Sequence, residues 1–269
     1  MKSHDIKIHI QLIVLAICVW NGSVNADASA WNDKDNSTNT KHWSTTSVSI
    51  LNGSGYKLGD NDRRIATFDH SSGAEFISNH FFFDVINPNS NFIAMYGEWH
   101  PAFNITALLN KFLFNESLNQ TLLFGRIKSI SIVGEYDYGT NPMSSFRSYY
   151  MGIGFDLNIP GAYYSMINIM YGGDPSVSED TEQVSMAWSF PFHLSFLHGE
   201  FNGYIDYIGS ESYRVSHLQS QPQLLFDVGR SMGIKNRLYL GVEYQYWHNK
   251  FGVKGIDEKL PQLIMTLKL

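Results

Sequence analysis

The sequence predicts an all-β chain: a transmembrane, antiparallel, up-and-down barrel of about twelve strands. Three observations carry that reading. From about Ser44 to Leu269, short stretches place an apolar or aromatic residue on every second position, with polar or small residues between. In an extended strand those two parities face opposite ways. The chain also opens with an export signal, and no later segment offers the ~20 uninterrupted apolar residues of a helical span. A soluble sheet also has a polar face, so one strand decides nothing. A dozen of them behind a leader do.

The leader comes first. Lys2 and Lys7 precede an apolar core from Leu12 to Trp20, and Val24-Asn25-Ala26 follows as a small-residue cleavage site. Residues 1–26 therefore read as a signal peptide. Its removal takes Lys2, Lys7 and Asp5, leaving 17 basic and 24 acidic residues and a formal charge of −7. That balance argues against nucleic acid as a partner, because phosphate binding needs a basic field. The one cysteine, Cys18, lies inside the signal, so the mature chain has no disulfide or thiol chemistry. A lipoprotein reading through Leu15-Ala16-Ile17-Cys18 fails at Ile17, where a small residue is wanted.

Aromatic residues make up 14% of the chain, glycines number 22, and mean hydropathy is only −0.18. A membrane barrel has this composition because half its strand residues face water. A secreted β-sandwich shares it, so composition alone leaves the two level.

Residues 27–42 form a polar leader. Asp33 and Asp35 lack the glycine and terminal glutamate of a calcium loop. The barrel domain then occupies 43–269. Strands are expected at 44–53, 63–70, 79–86, 92–101, 125–137, 147–158, 161–171, 182–191, 197–208, 221–229, 237–249 and 261–269. Most have the ~9–11 residues a tilted strand needs to cross hydrocarbon. An even count returns both ends to one side. Turn chemistry falls between strands at Asn87-Pro88-Asn89, Pro160-Gly161, Gly172-Gly173-Asp174-Pro175 and Gly209-Ser210.

Parity assigns faces to most strands. The clearest is 197–208, with Leu197, Phe201, Ile205 and Tyr207 on one side and His198, Glu200, Asn202, Tyr204 and Asp206 on the other. Outward sets include Ile130, Ile132 and Tyr136; Met151, Ile153 and Phe155; Val184, Met186 and Trp188; and Leu238, Leu240, Val242 and Tyr244. The last strand alternates Leu263, Met265, Leu267 and Leu269 with Ile264, Thr266 and Lys268, ending on leucine where such barrels usually end on an aromatic residue. The first two strands fit neither face well. Residues 104–124 are too long for a turn, and Leu108, Leu109, Phe112 and Leu113 have helical spacing, which predicts a short amphipathic helix at the rim.

Two stretches carry a family resemblance: LNGSGYKLGDNDRRIATFDHSSG (51–73) running into FFFDVINPNSNFIAMYGEWHP (81–101), and LLFDVGRSMGIKNRLYLGVEYQYWHNKFGVKGIDEKLPQLIMTLKL (224–269). With the strand count, these resemble the nucleoside-specific channel-forming proteins of the Tsx/OmpK family. The resemblance implies a monomeric twelve-strand barrel in a Gram-negative outer membrane. It also implies a narrow nucleoside pore, and outer loops that phages or colicins exploit as receptors.

A nucleoside has a flat base and a hydroxylated ribose but no phosphate. Its channel needs aromatic faces and hydrogen-bonding groups, and no cationic clamp. The inferred lumen supplies Phe82, Tyr96, Tyr150, Tyr204, Tyr239 and Trp247 beside Asp84, Glu98, Glu135, Asp156, Glu200, Asp206, Glu243 and Gln245. Tyr204, Glu200, Asp206, Tyr239, Glu243 and Trp247 stand on the most regular strands. No cofactor, metal or catalysis is expected. The rival readings are a surface protein without selective transport, and an outer-membrane esterase built on His70 and Ser72. Gly73 stands where those hydrolases carry asparagine. The acidic stretch Asp174, Glu179, Asp180 and Glu182 reads as a hydrated outer loop, or as a divalent-cation bridge to lipopolysaccharide.

Overall fold

The structure is a computed structural model and describes residues 42–88, 93–113 and 125–269. The signal peptide, and the polar leader apart from His42, lie outside the described residues. Thirteen strand segments run β1 (Trp43–Ser54), β2 (Asp62–Gly73), β3 (Ile77–Ile86), β4 (Ala94–Asn104), β5 (Ile127–Asn141), β6 (Ser144–Leu157) and β7 (Tyr164–Gly173), then β8 (Thr181–Leu194), β9 (Leu197–Ile208), β10 (His217–Ser220), β11 (Gln223–Asp227), β12 (Leu238–His248) and β13 (Glu258–Lys268). Each pairs antiparallel with its neighbours, and β1 closes the ring on β13 from Ser47↔Lys268 to Gly53↔Gln262.

Segments β10 and β11 are one stave. Both lie between β9 and β12, and the register does not slip between Gln219↔Asp206 and Gln223↔Asn202. Pro222 has no N–H to give, so the ladder lapses there without moving. The barrel therefore has twelve staves and no open edge, which is what hydrocarbon demands of backbone polar groups. The strand expected at 221–229 begins earlier, at His217, and ends at Asp227.

The start of β1 and the end of β13 share one end of the barrel, here the near end. Its β4–β5 connection carries helix α1 (Ile105–Phe112). Asn104 caps it, its Oδ1 accepting from Ala107 N at 2.9 Å. Buried Thr106 accepts from Ile130 N at 2.8 Å, Lys111 pairs with Glu75 at 2.8 Å, and Phe112 stacks on Phe76. The expected amphipathic helix is thus present and seated on the near rim. Leu113 is its C-cap, and 114–124 lie outside the described residues.

Outward positions are apolar and exposed: Ile50, Ile132, Met151, Ile153, Ile169, Leu240, Val242, Leu263 and Met265. The two strands that parity left open resolve through pairing. Ser47, Ser49 and Leu51 of β1 lie opposite Asp69, Thr67 and Ile65 of β2, and those residues in turn lead to Phe82 and Asp84 of β3. All face inward. Their other faces carry Ser44, Thr46, His70 and Ser72, so both sides read as polar near the near end.

Part of the interior is itself a core. Leu51, Ile65, Leu225, Tyr239, Leu260 and Ile264 pack together with Tyr56 from the β1–β2 loop, each no more than 8% exposed. At ~1.5–3 kcal/mol for each large apolar side chain buried, this cluster stiffens one wall of the barrel.

Candidate functional site: the barrel interior

The interior has two unlike sides. On β12 and β13 the inward residues are sealed: Glu243, Gln245, Leu260 and Gln262 are at most 4% exposed, and Glu258 is fully buried. Their polar atoms satisfy one another. Gln223 donates to Glu243 at 2.7 Å, Gln262 donates to its other oxygen at 2.8 Å, and Tyr56 donates to Gln262. Lys250 and Gln245 both donate to Glu258, which also accepts from Lys57 N. Nearer the near end, Lys268 Nζ lies 2.6 Å from both oxygens of Glu200 and 4.7 Å over the ring of Tyr239, whose hydroxyl also reaches Glu200 at 3.0 Å.

The side formed by β2–β4 and β8–β9 is more open. Asp69, Phe82, Asp84, Tyr96, Glu98, Tyr204 and Asp206 remain half-buried, and Asp156 of β6 is exposed. Asp84 accepts from Thr67 at 2.6 Å, and Tyr204 accepts from Gln219 at 2.6 Å. Glu98 takes Tyr96 and His100 as donors, and His100 also meets Glu135, which accepts from Gln183 at 2.7 Å.

The sequence-derived site residues therefore separate. All twelve lie on inward parities. Tyr204, Asp206, Phe82, Asp84, Tyr96, Glu98 and Asp156 stay accessible from the lumen. Glu200, Tyr239, Glu243, Tyr150 and Trp247 are buried in the wall.

Towards the far end, aromatic rings form a run from one wall to the other. Phe82 meets Tyr96 at 6.0 Å, Tyr96 meets Phe146 at 6.1 Å, Phe146 meets Phe251 at 6.2 Å, and Phe251 meets Trp247 at 4.5 Å. Phe146 and Phe251 escaped the sequence reading. Phe146 is visible in hindsight as an even-numbered position of β6, on the parity of Tyr150. Phe251 sits in a turn, where parity says nothing.

The two residues of the hydrolytic alternative bond elsewhere. His70 and Ser72 share the outer face as parity requires, yet His70 Nδ1 bonds Thr46 Oγ1 at 2.8 Å and Ser72 Oγ accepts from Asn79 at 2.7 Å. Among the described residues, Ser72 Oγ is bonded to Asn79 and not to a histidine. The acidic β7–β8 loop departs from its expectation at one residue. Glu179, Asp180 and Glu182 are exposed, but Asp174 is 4% exposed and paired with Arg214 at 2.7 Å, so it is not free to bridge a cation to lipid.

No family model matches the chain, and no curated protein matches it. Among solved structures, the KdgM porin superposes with a TM-score of 0.45 and 8% identity, covering 82% of this chain and 98% of its own. OmpF of Salmonella typhi gives 0.39 and 8%, over 86% and 98%. The outer membrane channel DcaP of Acinetobacter baumannii gives 0.38 and 8%, over 86% and 97%. At this level of superposition the likenesses add nothing to the strand ladder, and the closed twelve-stave barrel rests on that ladder alone.

Proposed function

We propose that this protein is a passive channel of the Gram-negative outer membrane that admits small polar solutes and prefers nucleosides. The observation that carries the reading is the ring run Phe82–Tyr96–Phe146–Phe251–Trp247, set beside half-buried carboxylates. Stacking one base on an aromatic side chain is worth ~1–3 kcal/mol, enough to enrich a solute without trapping it. Several weak contacts in series allow transit. The apolar outer wall supports insertion in a bilayer, and the Tsx-type segments at 51–73, 81–101 and 224–269 support nucleosides over sugars. The excess of inward carboxylates repels anions, nucleotides among them.

Planar-bilayer recording tests this. A nucleoside such as adenosine should reduce the single-channel current at millimolar concentration, while its monophosphate should not. Current unaffected by nucleosides, or carried mainly by chloride, overturns the proposal. A second reading, a closed barrel acting only at the surface, is favoured by the sealed β12–β13 wall. Reconstituted protein that gives no conductance steps would select it.

A further inference from the structure

The inner faces of β4 and β5 bring three acids together. Glu98 lies opposite Asp137 in the ladder, and Glu135 follows two residues along the same face. Carboxylate oxygens of all three lie within 4.8 Å of one another. Among the described residues, His100 is the one imidazole bonded to them, with Nε2 at 2.8 Å from Glu98 and Nδ1 at 3.3 Å from Glu135. Tyr96 donates to Glu98 and Gln183 to Glu135. All of these donors go to the two glutamates, His100 to both.

Asp137 is served by none. It is only 8% exposed, and its Oδ1 is buried with no hydrogen-bond partner among the described residues. A buried acceptor left unmatched is costly, and more so when it carries charge. One imidazole against three carboxylates leaves the pocket short of positive charge. Oxygens on opposite sides of a calcium ion stand about 4.6–5.2 Å apart, given metal–oxygen distances of ~2.3–2.6 Å. Oxygens of the three acids, no more than 4.8 Å apart, can therefore all reach one such ion.

We propose that Glu98, Glu135 and Asp137 form a binding site for a divalent, oxygen-seeking cation, Ca²⁺ in the first instance, with Asp137 as its otherwise unmatched ligand. Both His100 nitrogens face carboxylates, which leaves an oxygen-only donor set and disfavours zinc or copper. Water from the lumen completes the shell. The site is independent of whether nucleosides pass, so its failure would leave the transport proposal standing, and the reverse.

The test uses the mature protein in detergent, stripped with chelator and titrated calorimetrically with CaCl₂ to several times the ~1 mM at which the weakest protein calcium sites bind. One Ca²⁺ per chain is expected, with binding weakened at least tenfold in Asp137→Asn. Glu75→Gln, at the rim beside Lys111, should bind as the wild type does. Should Asp137→Asn fail to fold, the Ca²⁺-induced rise in unfolding temperature is compared between wild type and Glu98→Gln, where it should be lost. Absence of calcium uptake by the wild type overturns the site. So does equal uptake by the variants, or uptake of Zn²⁺ in place of Ca²⁺.

Discussion

Phe251 packs its ring against Trp247 with centroids 4.5 Å apart and planes 60° apart, and it does so from a left-handed backbone at φ 56°, ψ 27°. Bulky residues avoid that region, at a cost of roughly 1–3 kcal/mol. The turn is fixed by bonds from the β9–β10 loop and by one of its own. Gly252 O accepts from Val215 N at 2.9 Å, Asn249 Nδ2 donates to Ser216 O at 3.0 Å, and Lys250 N donates to Ile256 O at 2.7 Å. Gly252 itself has φ 73°, and a Cβ there would meet the Arg214 side chain at 2.6 Å. The fold thus tolerates strain to hold one phenyl ring across the far mouth.

Replacing that residue separates strain from stacking. Phe251→Gly relieves the backbone and removes the ring contact, worth ~0.5–1.5 kcal/mol, so the unfolding midpoint should change little. Nucleoside block of the current should fall severalfold, because the run from Tyr96 to Trp247 is cut at its centre. An unchanged nucleoside block in single-channel records would remove the ring run from the mechanism.

The lumen's charge predicts cation selectivity. Asp69, Asp84, Glu98, Asp156 and Asp206 remain accessible, whereas the inward lysines Lys250 and Lys268 are consumed by Glu258 and Glu200. Reversal potentials across a potassium chloride gradient should therefore favour potassium. Neutralising Asp84 and Asp206 together should shift the potential towards zero. A wild-type preference for chloride would sink this account of the pore.

Most of the architecture was legible because period-two alternation is strong wherever one face meets lipid. Strands such as β12, reading Leu238-Tyr239-Leu240 through Val242-Glu243-Tyr244-Gln245, show both faces at once. The first two strands hid theirs because Leu51 and Ile65 point inward into an apolar cluster while His70 and Ser72 point out. There the rule of polar inside and apolar outside reverses locally. The functional side was less legible. Parity placed Tyr239, Glu243 and Trp247 in the lumen, but not that loop residues Tyr56 and Lys250 fold over that wall and seal it. Nor does spacing reveal Glu98 beside Asp137, which only register brings together.

The sealed wall makes a stability prediction. Lys250 and Glu258 form an ion pair with side chains 2% and 0% exposed. Removing one partner strands the other charge, and such breakage costs about 3–5 kcal/mol. Lys250→Met alone should lower the urea midpoint strongly. Lys250→Met with Glu258→Gln should recover much of the loss, since the Lys57 amide can still donate to the remaining oxygen and Gln245 can turn its own oxygen to accept from the new NH2. Urea titration followed by tryptophan fluorescence decides it, and a single variant as stable as wild type would refute the pairing.

The far-end loops carry a latch whose pH response has a definite sign. Asp174 Oδ2 lies 2.7 Å from Arg214, its Oδ1 accepts from Ser176 N and Oγ at 2.9 and 2.6 Å, and its own N–H reaches Glu211 at 2.7 Å. Glu211 in turn holds Arg214 at 2.9 Å. Burial pushes the Asp174 carboxyl up, but the bonds from Ser176 and Arg214 outweigh it and hold the group below its ordinary value of 3.8. An opened loop, with the ordinary value, binds more protons than the closed one, so closure is favoured above that value and weakens as pH falls through the depressed one. Hydrogen exchange corrected for intrinsic rates should show the amides of Asp174 and Arg214 equally protected at pH 7 and pH 5, and less protected near pH 3. Asp174→Asn should remove the pH step and leave both amides weakly protected throughout. Protection lost between pH 7 and 5, or retained in the variant, would mean that the two loops are joined by something other than this carboxylate.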